Sequence, residues 1–254
     1  MLTSFKLLNL PELIHFQTKR IGGVSSGPYY SLNTSFAVGD SYANVMKNRQ
    51  FVANEIGIDL SRFVFCRQIH SDGVHCVCQS DIGRGVDLQQ HDIIQDTDAM
   101  ITNIPQVVLC IKTADCLPLF LYAPDKKVVG IAHIGWKGAL AQLPLKTIQR
   151  MQEEYDVDVT TILAVIGVGC GECCYEISME LAGKFPTDFI MKQADGKIYL
   201  NLKEFVKNQI LMSGLSDSQI EVSSMCSICN SDIYFSSRAQ QGIVGYGLAG
   251  ISLL

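Results

Sequence analysis

Residues 107–138 read VVLCIKTADCLPLFLYAPDKKVVGIAHIGWKG, and this stretch decides the fold class. It holds three short apolar runs, at 107–111, 117–122 and 128–132. Runs of about four to eight such residues suit buried strands, whereas helices of globular proteins need roughly ten or more. Upstream, residues 62–68 read as a further strand that delivers His70 to its end. Downstream, a helix is expected from Gly138 to about Tyr155, kinked where Pro144 falls in its interior. Asp40 or Ser41 can cap a helix running to about Glu55, with Val45, Met46, Val52 and Ile56 as its apolar stripe. Asn201 caps another, with Leu202, Phe205, Val206 and Ile210 on one face. Residues 22–33 form a long Gly/Ser/Pro/Tyr loop, and the apolar residues 243–254 a terminal buried strand. Strands alternate with helices but without a strict βαβ period. The expectation is α+β: a mixed sheet covered by helices rather than a doubly wound parallel one.

The chain has 254 residues, 48% hydrophobic and 18% charged. That composition fills a large core, excludes disorder and suits one domain over residues 1–254. The net charge is −5, and no Lys/Arg run exceeds two residues, so a nucleic-acid partner is not expected. The N-terminus lacks a basic segment followed by an apolar core, so it does not read as a secretory signal. The twelve residues 243–254 are too few for a membrane helix, which needs about 20. A cytoplasmic protein is the expectation, and its ten cysteines should then form no disulfide. The sequence leaves oligomeric state open, with a monomer as the working expectation.

Candidate chemistry gathers where apolar runs end. His70 follows one in Arg-Gln-Ile-His-Ser; His133 follows another in Ala-His-Ile-Gly-Trp-Lys-Gly; Cys116 sits between two in Lys-Thr-Ala-Asp-Cys-Leu-Pro. Functional groups concentrate on loops held by a rigid scaffold. Imidazole with thiolate favours zinc over magnesium or calcium, and three protein ligands with a fourth position open is the catalytic zinc pattern. The remaining histidines are at 15, 75 and 91. His75, in the alternating His-Cys-Val-Cys, reads as an exposed strand residue. Cys226-x-x-Cys229 could be a redox pair or half a zinc site, but no second pair of the usual spacing accompanies it. Cys170, Cys173 and Cys174 read as small residues on a tight loop.

A series of segments, in order along nearly the whole chain, resembles the YfiH family, also called laccase-domain or multicopper polyphenol oxidase-like. The segments are residues 18–25, Thr-Lys-Arg-Ile-Gly-Gly-Val-Ser; 30–33, Tyr-Ser-Leu-Asn; 68–71, Gln-Ile-His-Ser; and Asp98-Ala99. Next come residues 113–118, Thr-Ala-Asp-Cys-Leu-Pro, and 133–138, His-Ile-Gly-Trp-Lys-Gly. Residues 174–176, Cys-Tyr-Glu, and 235–238, Phe-Ser-Ser-Arg, complete the series. The chain departs from the pattern at Lys137, where Arg is common, at Gly167-Val168-Gly169 in place of Gly-Pro-x, and at Ser237 in place of Tyr.

The resemblance implies a single layered α+β domain with internal pseudo-symmetry, similar to the catalytic domain of deamidating toxins. It implies that His70, Cys116 and His133 bind one metal, zinc, with copper also accepted in vitro. It implies phosphorolysis of adenosine, inosine and methylthioadenosine, and deamination of adenosine; other lines imply phenol oxidation or editing of peptidoglycan precursors. A multicopper laccase needs several copper sites, and five histidines, two of them in such segments, are too few. Zinc that lowers the pKa of a water toward about 7 suits deamination, and phosphate at the same position would suit phosphorolysis. Beside Cys116 and His133, Asp115 is a candidate to orient a ligand or relay a proton. Arg20 is a candidate phosphate contact, and Gln68 and Trp136 candidate walls of the nucleoside site. The rivals are a metal-free thiol hydrolase or amidase, with Cys116 as nucleophile and His133 as base, and a non-enzymatic zinc protein.

Overall fold

The computed structural model describes residues 1–87 and 92–254, which leaves His91 outside the described residues. The chain opens with β1 (Leu2–Thr3), β2 (Leu13–Thr18), α1 (Tyr42–Ile56), β3 (Phe63–Phe65) and β4 (Val74–Cys76). The central run follows as β5 (Ala99–Thr102), β6 (Val108–Thr113), β7 (Leu117–Ala123) and β8 (Val128–Ile134). Then come α2 (Trp136–Leu140), α3 (Leu143–Tyr155), β9 (Leu163–Ile166) and α4 (Met179–Ala182). The chain closes with β10 (Ile190–Lys192), β11 (Ile198–Leu200), α5 (Leu202–Met212), β12 (Ile220–Val222) and β13 (Gly247–Leu253).

Two mixed sheets stack face to face. One runs β1-β2-β13-β6-β3, the other β12-β9-β7-β8-β5-β4, while β10 and β11 form a separate pair. Side chains alternate across a strand, so a strand between two apolar layers is apolar at every position. In β7, Phe120 and Tyr122 enter the core shared by the two sheets, while Leu119 and Leu121 enter the core beneath α3 and α5. In β6, Leu109 and Ile111 point to the shared core, and Val108 and Cys110 toward α1. The result is four layers, α–β–β–α, with continuous apolar runs where the sequence has them.

Ser41 caps α1, its side chain accepting from Asn44 N–H, and Gly57 closes the helix at φ 71°. The strand expected over 62–68 is hydrogen-bonded only from Phe63 to Phe65. The helix expected from Gly138 to Tyr155 is two helices. Gln142 takes a left-handed φ of 62° between them, and Pro144 lies in the first turn of α3. Its missing N–H costs nothing there, so it starts a helix instead of kinking one. No described helix is long and apolar enough to cross a membrane.

Candidate metal centre

Topology brings the three candidate ligands to one end of the six-stranded sheet. In the β7–β8 hairpin, Pro118 pairs with His133, which places Cys116 just beyond His133. Beside them β5 pairs antiparallel with β8, Ala99 opposite Ala132, so Asp98 arrives at the same level. His70 comes from the loop between β3 and β4. The ligand atoms of His70, Cys116 and His133 all lie within 4.8 Å of one another. His70 Nε2 stands 3.7 Å from Cys116 Sγ, and the two imidazole rings meet edge to face at 4.9 Å. His70 is exposed, Cys116 half-buried and His133 buried. Two soft-to-borderline nitrogens and one sulfur, open toward solvent on the His70 side, suit zinc with one free position.

Asp98 organises this trio, a role sequence reasoning missed although Asp98-Ala99 was among the matching segments. The carboxylate is fully buried. Its Oδ1 accepts from His133 Nδ1 at 2.9 Å and His70 N–H at 3.1 Å. Its Oδ2 accepts from Ile69 N–H at 3.1 Å, and from Ser71 N–H at 2.6 Å and Oγ at 2.9 Å. The bond to Nδ1 fixes the His133 tautomer and leaves Nε2 free to ligate. The bonds to residues 69–71 hold His70 at a left-handed φ of 61°, a conformation uncommon for a non-glycine residue. Burial pushes the Asp98 carboxyl up, but the His133 hydrogen bond and the Ser71 N–H outweigh it and hold the group at about 2. Burial likewise pushes the Cys116 thiol up, and the adjoining His133 and His70 bring it down to about 6. Burial lowers His133, whereas Cys116 and Asp98 raise it, so the pair favours thiolate with imidazolium, and a bound metal would take the place of the Nε2 proton. The site therefore holds its sulfur as a thiolate, the form a metal or an electrophile meets.

Gly135 gives these groups room. A Cβ there would stand 2.7 Å from His70 Cδ2 and 3.1 Å from Cys116 Sγ. Gly135→Ala should displace His70 and weaken metal binding roughly tenfold or more, with little change in melting temperature, as a competitive chelator titration would read.

A cavity of about 700 Å³ opens over the trio, lined by Phe36, Trp136, Tyr175 and Tyr246 and by the cations Arg49, Arg67, Lys112 and Arg238. Its size is that of a small-molecule site. Lys112 is deep in it, where burial brings its ammonium down to about 8. Ser237, one of the departures from the family pattern, also lines it.

The other candidate residues divide. Trp136 lines the cavity and also packs on the core below α2. Gln68 lines it too, but its amide is spent on strand β6, donating to Lys112 C=O at 2.8 Å and accepting Lys112 N–H at 2.9 Å. Asp115, at φ 91°, lines the cavity while its carboxylate accepts from Ser227 Oγ at 2.7 Å and Arg238 N–H at 2.8 Å. Arg20 is not among the cavity residues. Its guanidinium donates to Tyr30 C=O through Nε and Nη2 and to Ser231 C=O through Nη1, and it lies over the Phe235 ring. His75 is partly buried rather than exposed, bonded to Asp81 at 3.0 Å. Cys226 and Cys229 do find partners: Cys173 and Cys174 gather with them, their ligand atoms within 4.8 Å. A parallel bridge between Gly169 and Cys226 brings the two loops together, a contact that no local spacing encodes. None of the ten cysteines is in a disulfide.

The profile described as "Multi-copper polyphenol oxidoreductase laccase" matches residues 14–254. The purine nucleoside phosphorylase YlmD of Bacillus subtilis is 36% identical over 251 residues, 96% of this chain and 90% of that protein. The adenosine deaminase RL5, from an unknown prokaryotic organism, is 26% identical across 88% of this chain and 87% of its own length. The crystal structure of the hypothetical protein YfiH of Bacillus licheniformis superposes with a TM-score of 0.91. It is 32% identical and covers 95% of this chain and 93% of that one. With agreement over sequence and backbone alike, this chain belongs to the YfiH family, the family of the multi-copper polyphenol oxidoreductase laccase profile.

Proposed function

We propose that the protein is a zinc-dependent purine nucleoside enzyme. It would split adenosine, inosine and methylthioadenosine with phosphate to the free base and the 1-phosphorylated sugar, and convert adenosine and water to inosine and ammonia. The observation that carries this reading is the convergence of His70, Cys116 and His133 at the base of a cavity lined by both aromatic and cationic side chains. The names of the relatives point the same way. His70, Cys116 and His133 would hold the zinc, which would supply a Lewis acid for the attacking group. His133, through Asp98, keeps Nε2 as the ligating nitrogen. Trp136, Tyr175 and Tyr246 offer faces for a purine, and Arg67 and Lys112 a positive field for phosphate. Asp115 works through Ser227 and Arg238, positioning the wall of the cavity. Arg20 holds the 20–31 loop.

Among the described residues only two groups could hold a metal, and one of them has no histidine, which speaks against a multicopper oxidase. A second reading draws on the depressed Cys116 thiol beside His133 and Asp98: a metal-free thiol hydrolase or amidase with these three as nucleophile, base and orienting acid. Chelation separates the two. Nucleoside turnover should vanish when bound metal is stripped and return on adding zinc, whereas a thiol hydrolase keeps its activity without metal. Arg67→Ala should raise the KM for phosphate roughly tenfold to a hundredfold, as expected for losing a hydrogen bond of about 1.5–3 kcal/mol to a charged group, and spare deamination. Equal loss of both reactions would remove Arg67 from the phosphate site.

A further inference from the structure

Away from the cavity, four sulfurs meet between two loops. Cys173 and Cys174 follow β9, and Cys226 and Cys229 follow β12. Cys229 Sγ lies 3.2 Å from Cys174 Sγ and 3.5 Å from Cys173 Sγ. All four sulfurs lie within 4.8 Å of one another. In a tetrahedral site with zinc–sulfur bonds of about 2.3 Å, the sulfurs stand about 3.8 Å apart, so this cluster has the size of such a site.

Gly171 N–H donates to Cys226 Sγ at 3.2 Å. A Cβ at Gly171 would stand 3.0 Å from Cys226 Cβ and 3.3 Å from Cys173 Sγ, so glycine lets the loops close. The buried Lys203 ammonium donates to Ser223 C=O at 2.7 Å and Met225 C=O at 2.6 Å, and its charge acts on Cys170 first and then on Cys226 and Cys173. Zinc with four thiolates carries two negative charges, and Lys203 offsets part of that. Four soft sulfur donors in a tetrahedron select zinc over the hard cations.

We propose that Cys173, Cys174, Cys226 and Cys229 bind a second, structural zinc ion as a closed tetrathiolate. Binding releases the thiol protons to solvent and involves no change of oxidation state. The ion staples the loop after β9 to the loop that carries Ser227 and Arg238, the two groups that hold Asp115 beside the catalytic trio. It thereby braces the cavity from behind.

The test is metal content by mass spectrometry after zinc loading under reducing, anaerobic conditions and removal of free metal. Wild type should hold two zinc ions per chain. Cys116→Ala should keep one, and its X-ray absorption should show sulfur neighbours alone at about 2.3 Å. The double variant Cys173→Ser/Cys229→Ser should keep one and melt at lower temperature than wild type. A Cys116→Ala protein with no zinc, with nitrogen in the shell of its remaining zinc, or with iron in its place overturns the proposal. So does a stoichiometric disulfide among the four cysteines in protein alkylated without reductant. The Cys116→Ala measurement leaves the four cysteines intact, so it decides the matter even if the double variant fails to fold.

Discussion

Cys116→Ala should reduce nucleoside turnover by more than about 10³-fold while the protein still melts cooperatively. Removing a hydrogen-bonding partner behind a metal ligand typically costs about 10–100-fold in affinity or activity, and removing the ligand itself costs more. Cys116 is also the soft donor that distinguishes the site from a pair of histidines. Its loss leaves two nitrogens, too few to hold zinc in place. The fold does not depend on it. Cys116 is half-buried at the cavity, one residue before β7, and the apolar contacts of that strand begin at Leu117. The expected destabilisation is on the order of 1 kcal/mol, about 2–4 °C for a chain of this size. Calorimetry and a nucleoside assay on the same sample read both quantities. Global unfolding of the variant would mean that the metal at this site is structural.

Asp98→Asn should be damaging in both respects. The carboxylate accepts hydrogen bonds on each oxygen, and an amide can present an acceptor on one side only. If its oxygen faces His133 and His70, its NH₂ confronts the donors of Ile69 and Ser71. Turned over, the NH₂ forces His133 into the tautomer whose Nε2 carries the proton and cannot ligate. Breaking a buried charged network costs roughly 3–5 kcal/mol, and the loss of metal affinity should be about 10–100-fold. The pH dependence has a definite sign. The folded carboxyl titrates near 2, below the ordinary value of about 3.9. Its contribution is therefore present above about pH 4 and lost as pH falls toward 2. The stability gap between wild type and Asp98→Asn should narrow across that window in chemical denaturation. A constant gap would mean that the carboxylate is not what the network requires.

Local patterns carried much of this architecture. The apolar runs of β7 and β8 are strands because every position meets an apolar layer, and Ser41 and Asn201 cap helices where their side chains reach the third N–H. Features that depend on distant chain were harder to read. Asp98 reaches His133 only through the pairing of β5 with β8, and an Asp before a strand carries no mark of that. The four-cysteine cluster joins residues some fifty positions apart. Arg20 looked available for an anion because the carbonyls of Tyr30 and Ser231, which occupy it, belong to loops whose path no pattern encodes. The expectation of one kinked helix failed at Pro144, because proline favours the first turn of a helix and the break falls just before it, at residues 141–142.

The central proposal is metal-dependent purine nucleoside chemistry at His70, Cys116 and His133. Chromatographic product analysis of adenosine across a phosphate titration, with zinc-loaded wild type beside Cys116→Ala, tests it most directly. Wild type should release inosine without phosphate, and increasingly adenine and ribose 1-phosphate as phosphate rises, with inosine declining; Cys116→Ala should release neither. Adenosine left intact by zinc-loaded wild type, or consumed equally by the variant, would contradict the account.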